Sequence, residues 1–502
     1  MKYDILIVGA GVVGASIAYS LIPYNVSVLL LDKNNDVAMG ATRANSAIIH
    51  AGYDPKPGTL MARLNVEGNR ICGKLCEDLS VPFTRCGSLV LSFSEEDRST
   101  LSELYDRGIK NGVPDLKLLS QEELRKIEPG VSEEATGALY APTAGIINPW
   151  ELCLAQAEVF VKNGGTFLSG CEVRGISEIS SSEGKRSYLL NTTKGGISAD
   201  TVILCCGTEA DTVHGYISSP DFRITPTRGE YYLLDKSEGT KVSHVIFQCP
   251  SEKGKGVLVA PTVHGNLICG PTSEVLSHGS EDTATTAVKL SEIKEKASRS
   301  VGNISWRDNV RNFSGIRSNS TSDDFLIREI PGKKGIIEAA GIKSPGLASS
   351  PAIGPYMVEL LKASGVVLTE KTGGYDLTRK KIHFRDMTNE ERAALVAKDP
   401  AYGRIVCRCE GVTEGEIRDA IQSPIPPLSL DAVKRRAGTG MGRCQGGFCG
   451  PRIVEMLLSE RPDSSPLSIL QDGEGSTLFV PRDAEEDCSY EEKETLSKEV
   501  ES

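Results

Sequence analysis

Tyr3-Asp4-Ile5-Leu6-Ile7-Val8-Gly9-Ala10-Gly11-Val12-Val13-Gly14 opens the chain, and the rest of the fold is read outward from it. The apolar run Ile5–Val8 is too short before its first glycine to be a targeting segment, so it predicts a buried strand. Glycines at 9, 11 and 14 allow a tight turn, close approach of the backbone to a pyrophosphate, and snug packing of the next helix on the strand. Ala15–Leu21 supplies that helix, whose N-terminal N–H groups and dipole favour an anion. Val26–Leu31 supplies the second strand and ends at Asp32, where a carboxylate suits a ribose hydroxyl and repels a 2′-phosphate. Strand, glycine turn, helix, strand and acid make one βαβ unit of the doubly wound α/β class. The glycines by themselves leave FAD and NAD equally open.

With 502 residues the chain is expected to form two or three domains. A net charge of −11 argues against nucleic acid or an anionic membrane surface as partner. No apolar run reaches the roughly eighteen residues of a spanning helix. Fourteen cysteines without an export signal favour reduced thiols and metal ligands, so the expected compartment is the cytoplasm, with any membrane contact made through a partner. A helix is predicted over Glu95–Asn111. A β-rich stretch follows from Ile224 to Thr272, then a buried strand at Gly335–Gly341 and a helix opened by Ser344-Pro345. The expected organisation is a discontinuous nucleotide domain (1–90, 141–220, 315–372) and a β-rich substrate domain (91–140, 221–314). A connector (373–400), a cysteine module (401–460) and a tail (461–502) complete it. The tail's charged end, Arg482–Ser502, is predicted to be disordered.

Cys407-Arg408-Cys409 and Cys444-Gln-Gly-Gly-Phe-Cys449 provide four thiols in two close pairs. Four thiolates can hold zinc or a two-iron cluster. The one-residue gap in the first pair is less usual for zinc, and glycines 446, 447 and 450 would bring backbone amides near inorganic sulfides. Cys72 and Cys76 lie one helical turn apart and read as core. Cys205 and Cys206 fall in a predicted buried strand and are assigned no redox role.

Three segments resemble those of FAD enzymes of the D-amino-acid-oxidase-like superfamily, together covering about residues 1–370. They are Ala41-Thr42-Arg43-Ala44-Asn45-Ser46 with Ala47-Ile-Ile-His50, Val202-Ile-Leu-Cys-Cys206-Gly207, and Gly341-Ile-Lys-Ser-Pro-Gly-Leu347. The resemblance implies a Rossmann-like FAD domain. It implies cofactor contacts at Gly9, Gly11, Gly14, Asp32 and Lys33, at Thr42, Arg43, Asn45 and Ser46, at Val173, Cys206, Gly207 and Gly315, and at Gly341, Ser344, Gly346 and Leu347. A helix starting at Ser344–Leu347 would aim N–H groups at the flavin pyrimidine edge. Cys407 to Ile417 with Arg435 to Cys449 resembles the bacterioferritin-associated-ferredoxin-like domain fused to anaerobic glycerol-3-phosphate dehydrogenase large subunits. That implies a 2Fe-2S cluster on Cys407, Cys409, Cys444 and Cys449, and a protein electron acceptor or partner subunits.

On the substrate side, His50 is a candidate base and Lys343 an electrostatic group beside the flavin. Arg317, in Phe313-Ser-Gly-Ile-Arg317, matches the superfamily arginine that binds a carboxylate or phosphate, and Arg228 is a second candidate. Ser318 stands where the family often has proline. The expected function is FAD-dependent oxidation of sn-glycerol 3-phosphate to dihydroxyacetone phosphate, with electrons leaving through the cluster. Thr42–Gly58 also resembles L-2-hydroxyglutarate oxidases, so a 2-hydroxy-dicarboxylate is the alternative, followed by an amino acid. An electron-transfer subunit with no substrate of its own is the alternative of a different class.

Overall fold

The computed structural model describes residues 2–180, 186–250, 256–461 and 465–480. The chain divides into two compact units, Met1–Lys381 and Ile382–Ser502.

In the first unit the opening strand, Lys2–Val8, lies between Val28–Leu31 and Gly195–Leu204, parallel to both. Thr166–Leu168 and Ile336–Ala340 extend this parallel sheet on its two sides. Parallel strands buried on both faces need continuous apolar runs instead of alternation. Val28-Leu-Leu-Leu31 and Ile5-Leu-Ile-Val8 are such runs and are buried throughout. An antiparallel meander, Val173–Ser180 with Arg186–Thr192, pairs with the first half of Gly195–Leu204. The doubly wound reading therefore holds, with the second strand trimmed to Val28–Leu31 and the helix starting three residues earlier than expected, at Val12–Ser20.

Small residues let the helices under this sheet approach closely. A Cβ on Gly68, in the Leu60–Asp78 helix, would lie 2.1 Å from the Ala348 carbonyl oxygen of the Gly346–Ala363 helix. One on Gly354 would lie 2.5 Å from the Ser16 carbonyl oxygen. The Ser16 hydroxyl donates to the Ser350 carbonyl (2.6 Å), tying the first helix to the Gly346–Ala363 helix.

The second sheet has nine strands and is mostly antiparallel. Its spine is Ile224–Leu234 against Asn309–Ser320, in continuous register from Ile224↔Ser320 to Leu233↔Arg311, with a shift before Leu234↔Asn309. Ser88–Ser92, Gly137–Ala141 and Lys117–Ser120 join it at the far end. Residues 315–320, expected in the nucleotide domain, thus belong to this sheet, because an unbroken ladder carries them past Arg317. The helix predicted at Glu95–Asn111 forms over those residues. Ser94 caps its start by accepting from the Asp97 N–H, and Gly112 ends it at φ 80°.

The second unit is small and helical. Its core gathers Val406, Ile417, Ile421, Val433, Ile453 and Leu457. Glu414–Ile421 starts with a capping box in which Thr413 and Glu416 exchange hydrogen bonds. The expected connector is divided. Residues to 381 fold with the first unit, and 382–400 carry a capped helix, Asn389–Lys398, of the second. Part of the expected tail is also structured: Leu470 bridges to Ser429, and Asp472 accepts from Arg435 at 2.8 Å. The predicted disorder at 482–502 lies outside the described residues. No helix among the described residues is long and apolar enough to cross a membrane.

Candidate functional site

A cavity of about 940 Å³ opens in the first unit, at the upper end of the roughly 300–1,000 Å³ typical of cofactor sites. It runs from the carboxyl ends of the parallel strands to the inner face of the second sheet, where a doubly wound sheet binds its ligand. At the first end, Gly9 has φ +103°, and a Cβ on it would meet the Cys205 carbonyl oxygen at 2.3 Å. Gly11 faces the cavity with only Thr42 Oγ1 nearby, at 3.4 Å from a Cβ position. Gly14 lines nothing. Its missing Cβ, 1.9 Å from the Gly9 carbonyl oxygen, is what lets the helix seat on the turn. Gly341 likewise serves the turn, at φ +63°.

Asp32 Oδ2 accepts from the Ala10 N–H (2.8 Å) and Oδ1 from the Asn34 N–H (2.8 Å). Burial dominates and holds its carboxyl above the usual range, with those donors and Lys33 offsetting part of the cost. Lys33 sits at the cavity edge between Glu209 and Glu281, 2.6 Å from each. Burial works against its charge, but the two carboxylates more than compensate and raise it. Thr42, Arg43, Val173, Cys206 and Gly207 line this cavity as expected, and burial pushes the Cys206 thiol well up, so it stays protonated. Asn45 spends its amide on its own turn, donating to the Ala41 and Thr42 carbonyls and accepting from the Ala47 N–H.

At the other end the structure brings His50, Arg317 and Lys343 to one cavity from three distant parts of the sequence. The His50 carbonyl is held by the Asn65 and Asn69 amides (2.8 and 3.1 Å), and its ring stacks on Phe247 at 5.6 Å between centroids. Arg317 touches the Thr272 carbonyl at 3.4 Å and meets no carboxylate among the described residues. Gly229 makes room for it, since a Cβ there would lie 2.6 Å from the guanidinium. Lys343 Nζ donates to the Ser322 carbonyl (3.2 Å). Ser318, departing from the family's proline, donates to the Ile342 carbonyl (3.2 Å) and so ties the arginine's strand to the lysine's loop. Gly315 brings that strand onto Ala44, whose carbonyl oxygen would be 1.9 Å from a Cβ. Ser344, Gly346 and Leu347 line the cavity where the Gly346–Ala363 helix begins, and no side chain caps that end.

Arg228 is the correction. Its guanidinium is buried and held by Asp282 (2.6 Å) and Glu274 (2.8 Å), with Glu230 3.8 Å away, and it does not line the cavity. Arg317 stands opposite Thr227 across the two strands, so Arg228, one residue further along, points to the other face of the sheet from Arg317. Tyr231, Asn319, Asp323 and Glu281 line the cavity and were not singled out from sequence. Strand parity could have found Tyr231, whose hydroxyl lies 3.2 Å from Ser46 Oγ. The others come from loops or strand ends without a motif.

In the second unit the four cysteines of the two pairs line one cavity of about 270 Å³ with Arg408 and Phe448. They meet across the pairs of the sequence: Cys409 Sγ lies 3.6 Å from Cys444 Sγ, and the Cys407 and Cys449 thiols perturb one another. The Cys449 thiol lowers Cys407 to about 6 against burial, helped by N–H groups of Gly440 and Glu410. N–H groups of Phe448 and Gly446 lower Cys444. Two separate sulfur pairs suit two irons, and the amides aimed at the sulfurs suit anionic thiolates.

These features define a flavin oxidoreductase with an iron–sulfur module. The chain belongs to the FAD dependent oxidoreductase family, whose model matches residues 4–360, and residues 405–459 match the BFD-like 2Fe-2S binding domain. Its cofactors are FAD and a 2Fe-2S cluster.

The glycerol 3-phosphate dehydrogenase of Caloramator mitchellensis is 46% identical over 480 residues, 95% of this chain and 98% of that one. The mitochondrial L-2-hydroxyglutarate dehydrogenase of Homo sapiens is 33% identical over 54% of this chain and 61% of its own length. Among solved structures, the dithionite-reduced L-alpha-glycerophosphate oxidase from Mycoplasma pneumoniae with FAD bound matches with a TM-score of 0.71 and 29% identity, covering 75% of this chain and 98% of that one.

Proposed function

We propose that the chain is a dehydrogenase that oxidises sn-glycerol 3-phosphate to dihydroxyacetone phosphate and releases the electrons singly through its cluster. The observation that carries the reading is the convergence of His50, Arg317 and Lys343 at one end of the FAD-sized cavity. The likeness to the Caloramator dehydrogenase over both cofactor modules supports it.

Bound FAD supplies a hydride acceptor, and the cluster supplies a one-electron carrier. Arg317, which meets no carboxylate among the described residues, pairs with the substrate phosphate in a two-pronged contact. His50 takes the proton of the C2 hydroxyl through its ring, which stacks on Phe247 while the Asn65 and Asn69 amides hold the backbone carbonyl of the same residue. Lys343 stabilises negative charge developing on that oxygen. Cys407, Cys409, Cys444 and Cys449 ligate the cluster. Electrons leave to a protein acceptor in the cytoplasm.

The test is an anaerobic titration of the purified holoprotein, first with glycerol 3-phosphate and then with L-2-hydroxyglutarate. Bleaching of the flavin and cluster bands by the first alone is the expected result. Reduction by the hydroxy acid alone would reassign the substrate, and no reduction by either would favour an electron-transfer subunit.

A further inference from the structure

Residues 271–286 join the strand Leu267–Gly270 to the helix Ala287–Ser300, with no regular structure beyond the two-residue strand Glu274–Val275. A connection this long inside a compact fold is usually functional. Both of its ends are pinned to the second sheet. Near the start, Glu274 binds the buried Arg228 guanidinium and the Leu276 N–H donates to the Pro226 carbonyl (2.9 Å). Near the end, Asp282 binds Arg228, Ser314 Oγ donates to the Thr283 carbonyl (2.8 Å), and the Thr286 N–H donates to buried Glu230 (2.8 Å).

The middle behaves differently, because it reaches across to the nucleotide-binding strands. Glu281 lies 2.6 Å from Lys33, just after the Asp32 strand end, and His278 Nε2 lies 2.9 Å from Asp211, just after Gly207. Glu281 also lines the cofactor cavity. Only the Lys33–Glu281 pair is exposed on both sides, at 36% and 68%, whereas the other contacts of the segment keep one buried partner, Arg228 at 5% or Asp211 at 6%. Exposed pairs of this kind are weak and screened by salt.

We propose that residues 277–281 form a clasp that closes over the nucleotide end of bound FAD, latched chiefly by Glu281 on Lys33, and that FAD leaves only when the clasp opens. Lys33 is then a positioning residue that holds the strap, with two of its three N–H donors spent on Glu209 and Glu281.

The experiment follows FAD release from the holoprotein by flavin fluorescence after dilution, at low and high KCl, for wild type, Glu281→Gln, Lys33→Gln and the double variant. Each single variant is expected to release FAD roughly two- to five-fold faster, the range an exposed ion pair supports. The double variant should be no faster than the quicker single one, and salt should accelerate release in wild type only. Amide exchange over 277–281 is expected to slow when FAD binds, and to slow less in Glu281→Gln. An unchanged release rate, additive effects of the two substitutions, or exchange indifferent to FAD would each overturn the clasp.

Discussion

Two arginines on neighbouring strands meet opposite fates. Arg228 is paired with carboxylates that fasten a loop, while Arg317, given room by Gly229, meets no carboxylate among the described residues. Arg317→Lys should raise the KM for glycerol 3-phosphate about ten-fold or more with a smaller effect on kcat, because a point ammonium cannot reproduce a two-pronged contact. Steady-state kinetics with an artificial acceptor reads this directly. His50→Asn should slow flavin reduction by substrate about a hundred-fold with FAD still bound, as expected for loss of a general base. Rapid-mixing absorbance at the flavin band checks it, and an unchanged rate would remove His50 from the proton's path.

At the scale of elements, helix contacts set by missing side chains are the vulnerable points. Gly68→Ala would drive a Cβ to within 2.1 Å of the Ala348 carbonyl oxygen, forcing apart the helices Leu60–Asp78 and Gly346–Ala363. The expected cost is about 1–3 kcal/mol, with weaker FAD binding because the second helix starts at the cavity. Thermal unfolding of the apoprotein and FAD titration measure the two effects.

Glu128 is a vulnerable point of another kind, its carboxylate joining the end of the Gln121–Ile127 helix to the residues before Val245–Gln248. Burial raises its carboxyl, but His244 and Ser243 donate four hydrogen bonds to Oε2, and the balance is below the usual value. A depressed carboxylate contributes its stability above the unfolded pKa of about 4.3 and loses it as pH falls through the lower folded value. Glu128→Gln should therefore cost about 1–3 kcal/mol near neutral pH, and the difference from wild type should shrink below about pH 4. Calorimetry across that range gives the sign.

For the whole molecule, the cofactors sit in separately folded units, so their chemistry should separate by mutation. Cys409→Ser should leave flavin reduction by substrate intact while abolishing or shifting the cluster's electron paramagnetic resonance signal and slowing one-electron acceptor reduction. Normal acceptor turnover with the cluster gone would show that electrons leave from the flavin itself.

Local patterns in the chain already carried the parallel sheet, the glycine turn, Asp32 and the two cysteine pairs. Apolar runs, glycine spacing and thiol spacing are short-range signals that the backbone must obey wherever it folds. His50, Arg317 and Lys343 were also legible, each within a segment resembling a known family, although nothing in their spacing says that they share a cavity. Only the tertiary structure decided that Arg228 is consumed by Glu274 and Asp282, that Cys409 pairs with Cys444 and Cys407 with Cys449, and that Glu281 reaches Lys33. Those outcomes depend on which face of a strand meets a loop far away in sequence. Hydrogen-bond register and chain crossing set that choice, and no window of neighbouring residues records it.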